Sequence, residues 1–177
     1  EAARRAFRTS AVEAAVAGDS VLSASARAAE ARVALETGAT GDARLLAEST
    51  LKSPSEKPAR LRADLYLILA EVALPDSPAE AGRALESARN AWQEEKRSDP
   101  VFAALWERVR GRLLLAEGKP ASEAATAFDR ESAAWQAAGR YADRAVALER
   151  AADEWGKAGQ HAGAAERLLA AARIRWG

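Results

Sequence analysis

Cysteine is absent from the 177 residues, which excludes disulfides, thiolate metal sites and cysteine nucleophiles. Methionine is absent too, and the chain opens on Glu1. That is expected of a trimmed piece of a longer product from which a signal or targeting segment has been removed. The one histidine, His161, falls in a predicted turn, so neither a histidine pair for a metal nor a general-base relay can be built around it. Net charge is lacking as well: 26 basic residues cancel 26 acidic ones. Nothing global then favours nucleic acid or an anionic membrane. Long apolar runs are missing, the longest being Leu65 to Ala70 between Asp64 and Glu71. A bilayer span needs about 20 such residues.

What is present is alanine and arginine. The chain is 49% hydrophobic but only 6% aromatic, and its apolar share is mostly alanine. Such a composition favours close-packed helices over sheets. Breakers recur at Gly18-Asp19, Thr40-Gly41-Asp42, Ser53-Pro54, Pro75 to Pro78, Asp99-Pro100, Gly118 to Pro120, Gly139 and Gly159. An interval of roughly 20 residues, a four-turn helix and a short connection, predicts about nine helices and no strands. Ser77-Pro78-Ala79-Glu80 reads as a capping box with proline at the first helical position, and Asp99-Pro100 as an acidic cap. Near Pro58 either Ser53 or Ser55 is available as the cap. The helix from about Pro58 to Leu74 is the most hydrophobic and is expected to be buried on more than one side.

A repeat underlies this spacing. Leu65, Ile68, Leu69, Val72, Ala81, Leu85 and Ala88 match Leu148, Ala151, Ala152, Trp155, Ala164, Leu168 and Ala171, 83 positions later. Two helix pairs of about 41 residues account for the offset. Between them Trp106, Val109 and Leu113 fit the first helix, while Arg110 stands where a small residue is expected. Ala124 and Phe128 fit the second only after a slip of two residues, and Glu131 breaks its last position. Before Ser53 the match fades, although Ala24, Ala28 and Ala31 are apolar.

This arrangement, with small, large and small residues on the second helix, resembles the tetratricopeptide repeat (TPR) family. The resemblance covers about Pro58 to Gly177, with a period near 40 where the family uses about 34, and with Trp176 where its closing proline would stand. It implies an all-α, right-handed α-solenoid of antiparallel helix pairs. The expected organisation is one repeat domain over 1–177, with a capping helix at 1–18 and pairs at 19–53, 58–98, 99–138 and 140–177. The resemblance also implies a concave face lined by first helices. Carried over residue by residue, the candidate partner-binding groove is Arg32, Tyr66, Ala70, Glu107, Gly111, Leu114, Glu149, Asp153 and Lys157. Its charge is mixed with a mild acidic bias. The family's carboxylate clamp, which uses paired asparagines, is not expected, since Asn90 is the only asparagine.

Motifs for chemistry are few. Gly111 to Lys119 is not a phosphate loop, because six residues separate its glycines and Pro120 replaces the serine or threonine. Glu94-Glu95, and Glu149 with Asp153, read as solvated helix faces, and Arg108, Arg110 and Arg112 do not form a continuous basic stripe. Trp92, Trp135, Trp155 and Trp176 lie near predicted helix ends, where packing is their expected role and a ligand groove the alternative. No catalytic residue, cofactor or metal is assigned, and nucleic acid is not an expected partner. The expectation is a non-catalytic scaffold binding a protein or extended peptide in a bacterial multiprotein or envelope assembly, with self-association open. The alternative is a small-ligand sensor with a pocket lined by Tyr66, Trp106 or Trp155. Localisation is open, an extracytoplasmic lipoprotein domain being preferred to a cytoplasmic one.

Overall fold

A computed structural model describes residues 2–54, 57–94 and 99–176. Among these are nine α-helices and no strand: α1 (Ala2–Val16), α2 (Ser20–Glu36), α3 (Thr40–Lys52), α4 (Ala59–Ala73), α5 (Pro78–Gln93), α6 (Pro100–Ala116), α7 (Ala121–Ala137), α8 (Tyr141–Lys157) and α9 (His161–Trp176). The architecture is all-α and repeat-like, with consecutive helices packed as pairs.

Caps fix the boundaries. The Asp19 carboxylate accepts from the Leu22 amide at 2.8 Å, and Asp99 accepts from Val101 at 2.8 Å and Phe102 at 3.3 Å. Ser77 Oγ accepts from the Glu80 amide at 3.4 Å, with Pro78 opening α5. These bonds occupy orphan amides of the first turn. Two expected boundaries move. The α2–α3 turn is made by Gly38 at φ 79, with the Ala39 amide donating to the Ala34 carbonyl at 2.8 Å, so Thr40-Gly41-Asp42 becomes the first turn of α3. Pro58 itself occupies the cap position of α4, and no side chain caps that helix. Ser55 lies outside the described residues.

The chain divides into two compact units, Glu1–Lys96 and Arg97–Gly177. In the first, α1 and α3 pack on α2, and α4 packs on α2, α3 and α5. Its core joins Ala24, Ala28, Ala31, Ala34, Ala43 and Ala47 to Leu61, Leu65, Ile68 and Val72. Helix α4 buries Leu61, Ala63, Leu65, Leu67, Ile68, Ala70, Val72 and Ala73, which covers more than one side. Burying each Leu or Ile contributes roughly 2 kcal/mol. The alanines contribute less area but let helix backbones approach closely.

In the second unit α6, α7, α8 and α9 pack each on the next. The core is divided into small clusters: Ala104, Trp135 and Ala147; Ala124, Phe128 and Ala151; Ala145, Leu148 and Ala171. Ionic ties supplement this thin apolar core. Glu131, fully buried on α7, accepts from Arg108 Nε at 2.9 Å, Trp135 Nε1 at 3.1 Å and Arg150 at 3.1 Å, so one carboxylate links α6, α7 and α8. Asp129 repeats the device toward α9, accepting from Trp155 Nε1 at 3.0 Å and from Arg167 at 2.9 and 2.8 Å. In both cases one guanidinium also lies over the indole it shares, at 5.5 Å.

Ten of the fourteen repeat positions are buried, and Leu69, Trp155 and Ala164 are half-buried. Leu65, Ile68, Val72, Ala81, Leu85, Ala88, Leu148, Ala151, Ala152 and Ala171 are buried, but Leu168 is 52% exposed. Among the described residues helix α9 packs chiefly on α8 and reaches α7 through the Arg167–Asp129 pair, so periodicity marks its apolar stripe without providing a neighbour to cover all of it.

Candidate functional site

Helix α8 ends on a glycine-dependent turn. Gly159 has φ 76, and the amides of Gly159 and Gln160 donate to Gly156 and Trp155 carbonyls at 3.0 and 2.9 Å. A side chain at Gly159 would be strained in this left-handed conformation. The turn sets His161, the first residue of α9, beside the last turn of α8. Along α8, Glu149, Ala152, Asp153, Gly156 and Lys157 follow one another at helical spacing and share a face. Together with His161 and Leu168 they line a concavity of about 500 Å³.

Its floor is small and its rim ionic. Lys157 Nζ lies 2.7 Å from Asp153 Oδ2 and 2.7 Å from Glu154 Oε1, bridging two carboxylates. Hydrogen bonding to Asp153, then to Glu154, holds the ammonium well above the usual lysine range, so it stays charged. The position at the C-terminus of α8 also suits a cation. Glu149 takes Arg175 at 2.9 Å from α9, while Glu154 is buried and its Oε2 has no partner among the described residues. Exposed carboxylates on the rim, with Leu168 as an apolar wall, suit a side chain that joins an aliphatic stem to a cationic head.

Of the nine expected groove residues, Glu149, Asp153 and Lys157 meet in this concavity. The others are placed differently. Arg32 is half-buried and holds Glu71 at 2.6 Å, a tie from α2 to α4. Tyr66 is half-buried, and Ala70 is fully buried and offers no surface. Gly111 is buried against the Phe128 ring, and Leu114 packs on the Ala124, Phe128 and Ala151 cluster. Glu107 is half-buried with Arg110 at 3.2 Å and Arg130 at 3.9 Å, and desolvation raises its pKa despite Arg110. Of the aromatics considered for a pocket, Trp155 has its N–H bonded to Asp129, and Trp106 lies under Arg110 at 5.5 Å.

His161 and Leu168 join the site without having been expected there. The spacing from Lys157 across the short turn to His161 was the available signal, since a turn this tight leaves both at one end of the pair. Among the described residues no helix is long and apolar enough to cross a membrane. No family model, curated protein or solved structure matches the chain.

Proposed function

We propose that this chain is a non-catalytic, TPR-like scaffold that binds a protein or an extended peptide, and that the α8–α9 concavity takes a basic, partly apolar segment of that partner. The observation that carries this reading is the meeting of Glu149, Asp153, Lys157, His161 and Leu168 around one cavity of about 500 Å³. Rigid helices hold these groups, which lowers the ordering cost of recognition. Glu149, Asp153 and Glu154 outnumber Lys157 and Arg175 by one, which favours a cation, and Leu168 favours a stem or a neighbouring apolar residue. The repeat spacing described above supports the scaffold class. A bacterial multiprotein or envelope assembly remains the setting we propose for it.

The test is affinity capture from a lysate of the encoding organism, comparing the native chain with Asp153→Lys. Asp153 is exposed and its ion pair is at the surface, so the variant should keep its helical circular dichroism. A protein retained by the native chain and lost by the variant supports the proposal. Equal retention by both sinks it.

A further inference from the structure

The first unit carries a second recognition feature, independent of the α8–α9 site. Helices α1 and α3 both pack on α2, and between them the ion pair of Arg4 with Asp42 spans 2.6 Å. The trough they leave above α2 has a volume of about 700 Å³ and continues into a smaller cavity of about 340 Å³ that shares Ala15 and Arg27. Its walls are apolar and open to solvent: Val12 is 59%, Val16 85% and Leu45 69% exposed. Isolated exposed valines need no explanation, but a lined trough of them marks an interaction surface.

Charge on the trough identifies the occupant's polarity. Arg4, Arg8, Arg32 and Arg44 of this unit each hold a carboxylate, and the Arg8 pair with buried Glu30 lies in the trough itself. Arg27 is exposed in the same lining and has no carboxylate among the described residues. With Arg8 neutralised by Glu30, the trough presents one uncompensated positive charge between hydrophobic walls. An anionic group on an apolar ligand meets it.

The backbone decides the occupant's conformation. The walls are helices whose amides and carbonyls are paired within the helix, so they offer no edge to an extended strand. A strand laid there would leave its own polar groups unpaired against valine and leucine. A helix arrives with those bonds already made. Val12 with Val16, and Leu45 with Ser49, also form ridges one helical turn apart, the pattern into which a third helix interdigitates. We infer that the α1–α3 trough docks an acidic amphipathic helix of a partner protein, its apolar stripe between Val12, Val16 and Leu45 and one carboxylate on Arg27.

The experiment is selection of a displayed library of helical peptides of about fifteen residues, long enough for four turns, on the intact chain. The expected result is enrichment of sequences with apolar residues at i, i+3 or i+4 and i+7, and an Asp or Glu on that face. A synthetic peptide of the enriched sequence should bind Arg27→Glu at least roughly tenfold more weakly. Changing its acidic residue to lysine should restore binding to that variant. Arg27 is exposed and pairs with nothing described, so circular dichroism should be unchanged in Arg27→Glu, and Val12→Asp provides a second disruption of the wall. No enrichment, enrichment without an acidic residue, or indifference to both variants overturns the inference. So does self-association of the chain that Val12→Asp abolishes, which would assign the trough to a second copy. Asp153→Lys should leave this peptide's binding unchanged.

Discussion

Glu107 and Glu131 are both carboxylates shielded from water, yet their surroundings give them opposite effects on stability. Glu131 is fully buried but accepts from two guanidiniums and an indole. Glu107 has Arg110 at 3.2 Å and Arg130 only at 3.9 Å, and desolvation outweighs them, raising its pKa above the ordinary 4.5. For a carboxyl with a raised folded pKa, protons bind the folded state more tightly. The favourable contribution is therefore complete below about 4.5 and is lost as pH rises through the higher folded value. Glu107→Gln should accordingly match the native chain in acid and exceed it at neutral pH by roughly 0.5 kcal/mol, the scale of a substitution near the surface. Glu131→Gln should instead cost about 3 kcal/mol at neutral pH, the lower end for breaking a buried pair, because Arg108 and Arg150 are 22% and 37% exposed and can turn to water. Urea unfolding of both variants across pH checks the pair. A neutral-pH loss in Glu107→Gln would show that Arg110 wins after all.

At the scale of the element, α6 and α7 meet through a glycine. A Cβ added at Gly111 would lie 2.6 Å from Phe128 Cε1 and 2.9 Å from its Cζ, and the ring is 3% exposed among Ala124 and Ala151. Alanine at a helix interior is worth about 1 kcal/mol over glycine. Overpacking a filled core costs typically 1–3 kcal/mol, about as much or more. Gly111→Ala should therefore lower Tm, and Phe128→Leu in the same chain should recover part of the loss by making room. A raised Tm in Gly111→Ala alone would mean that the ring yields freely. This position shows where sequence was legible and where it was not. Spacing placed the apolar faces of α4, α5 and α8 correctly, because periodicity directly reports which face is dry. It put Gly111 in a groove and Leu168 in the core, because it does not report how near the facing helix comes or whether one is there. Glu131 looked like a broken repeat position, since its partners Arg108 and Arg150 lie 23 and 19 residues away and meet it only once three helices are assembled.

At the scale of the molecule, each unit owns the contacts that fold it. The first has a continuous core in which Leu65 and Ile68 are essentially inaccessible, and Leu67 of the same helix is buried as well. The second replaces much of that apolar area with Trp135, Val109 and the Glu131 and Asp129 ties. In helical arrays stability is close to a sum of each repeat and its nearest neighbours, so a boundary between compact units is a place where the chain can be divided. Fragments 1–96 and 97–177, expressed separately, should each give a helical far-ultraviolet spectrum and unfold cooperatively in urea, with m near 1 kcal/mol/M, the low end expected for so small a surface. The tie-dependent fragment should be the one that also loses cooperativity when its ties are cut. Asp129→Asn with Glu131→Gln removes carboxylates that hold arginines from α6, α8 and α9, which alanine contacts are too small to replace. The 1–96 fragment keeps Leu65, Leu67 and Ile68 buried whatever its ion pairs do, so an equal loss of cooperativity there in Glu30→Gln with Glu71→Gln would contradict this division of labour between apolar burial and charge.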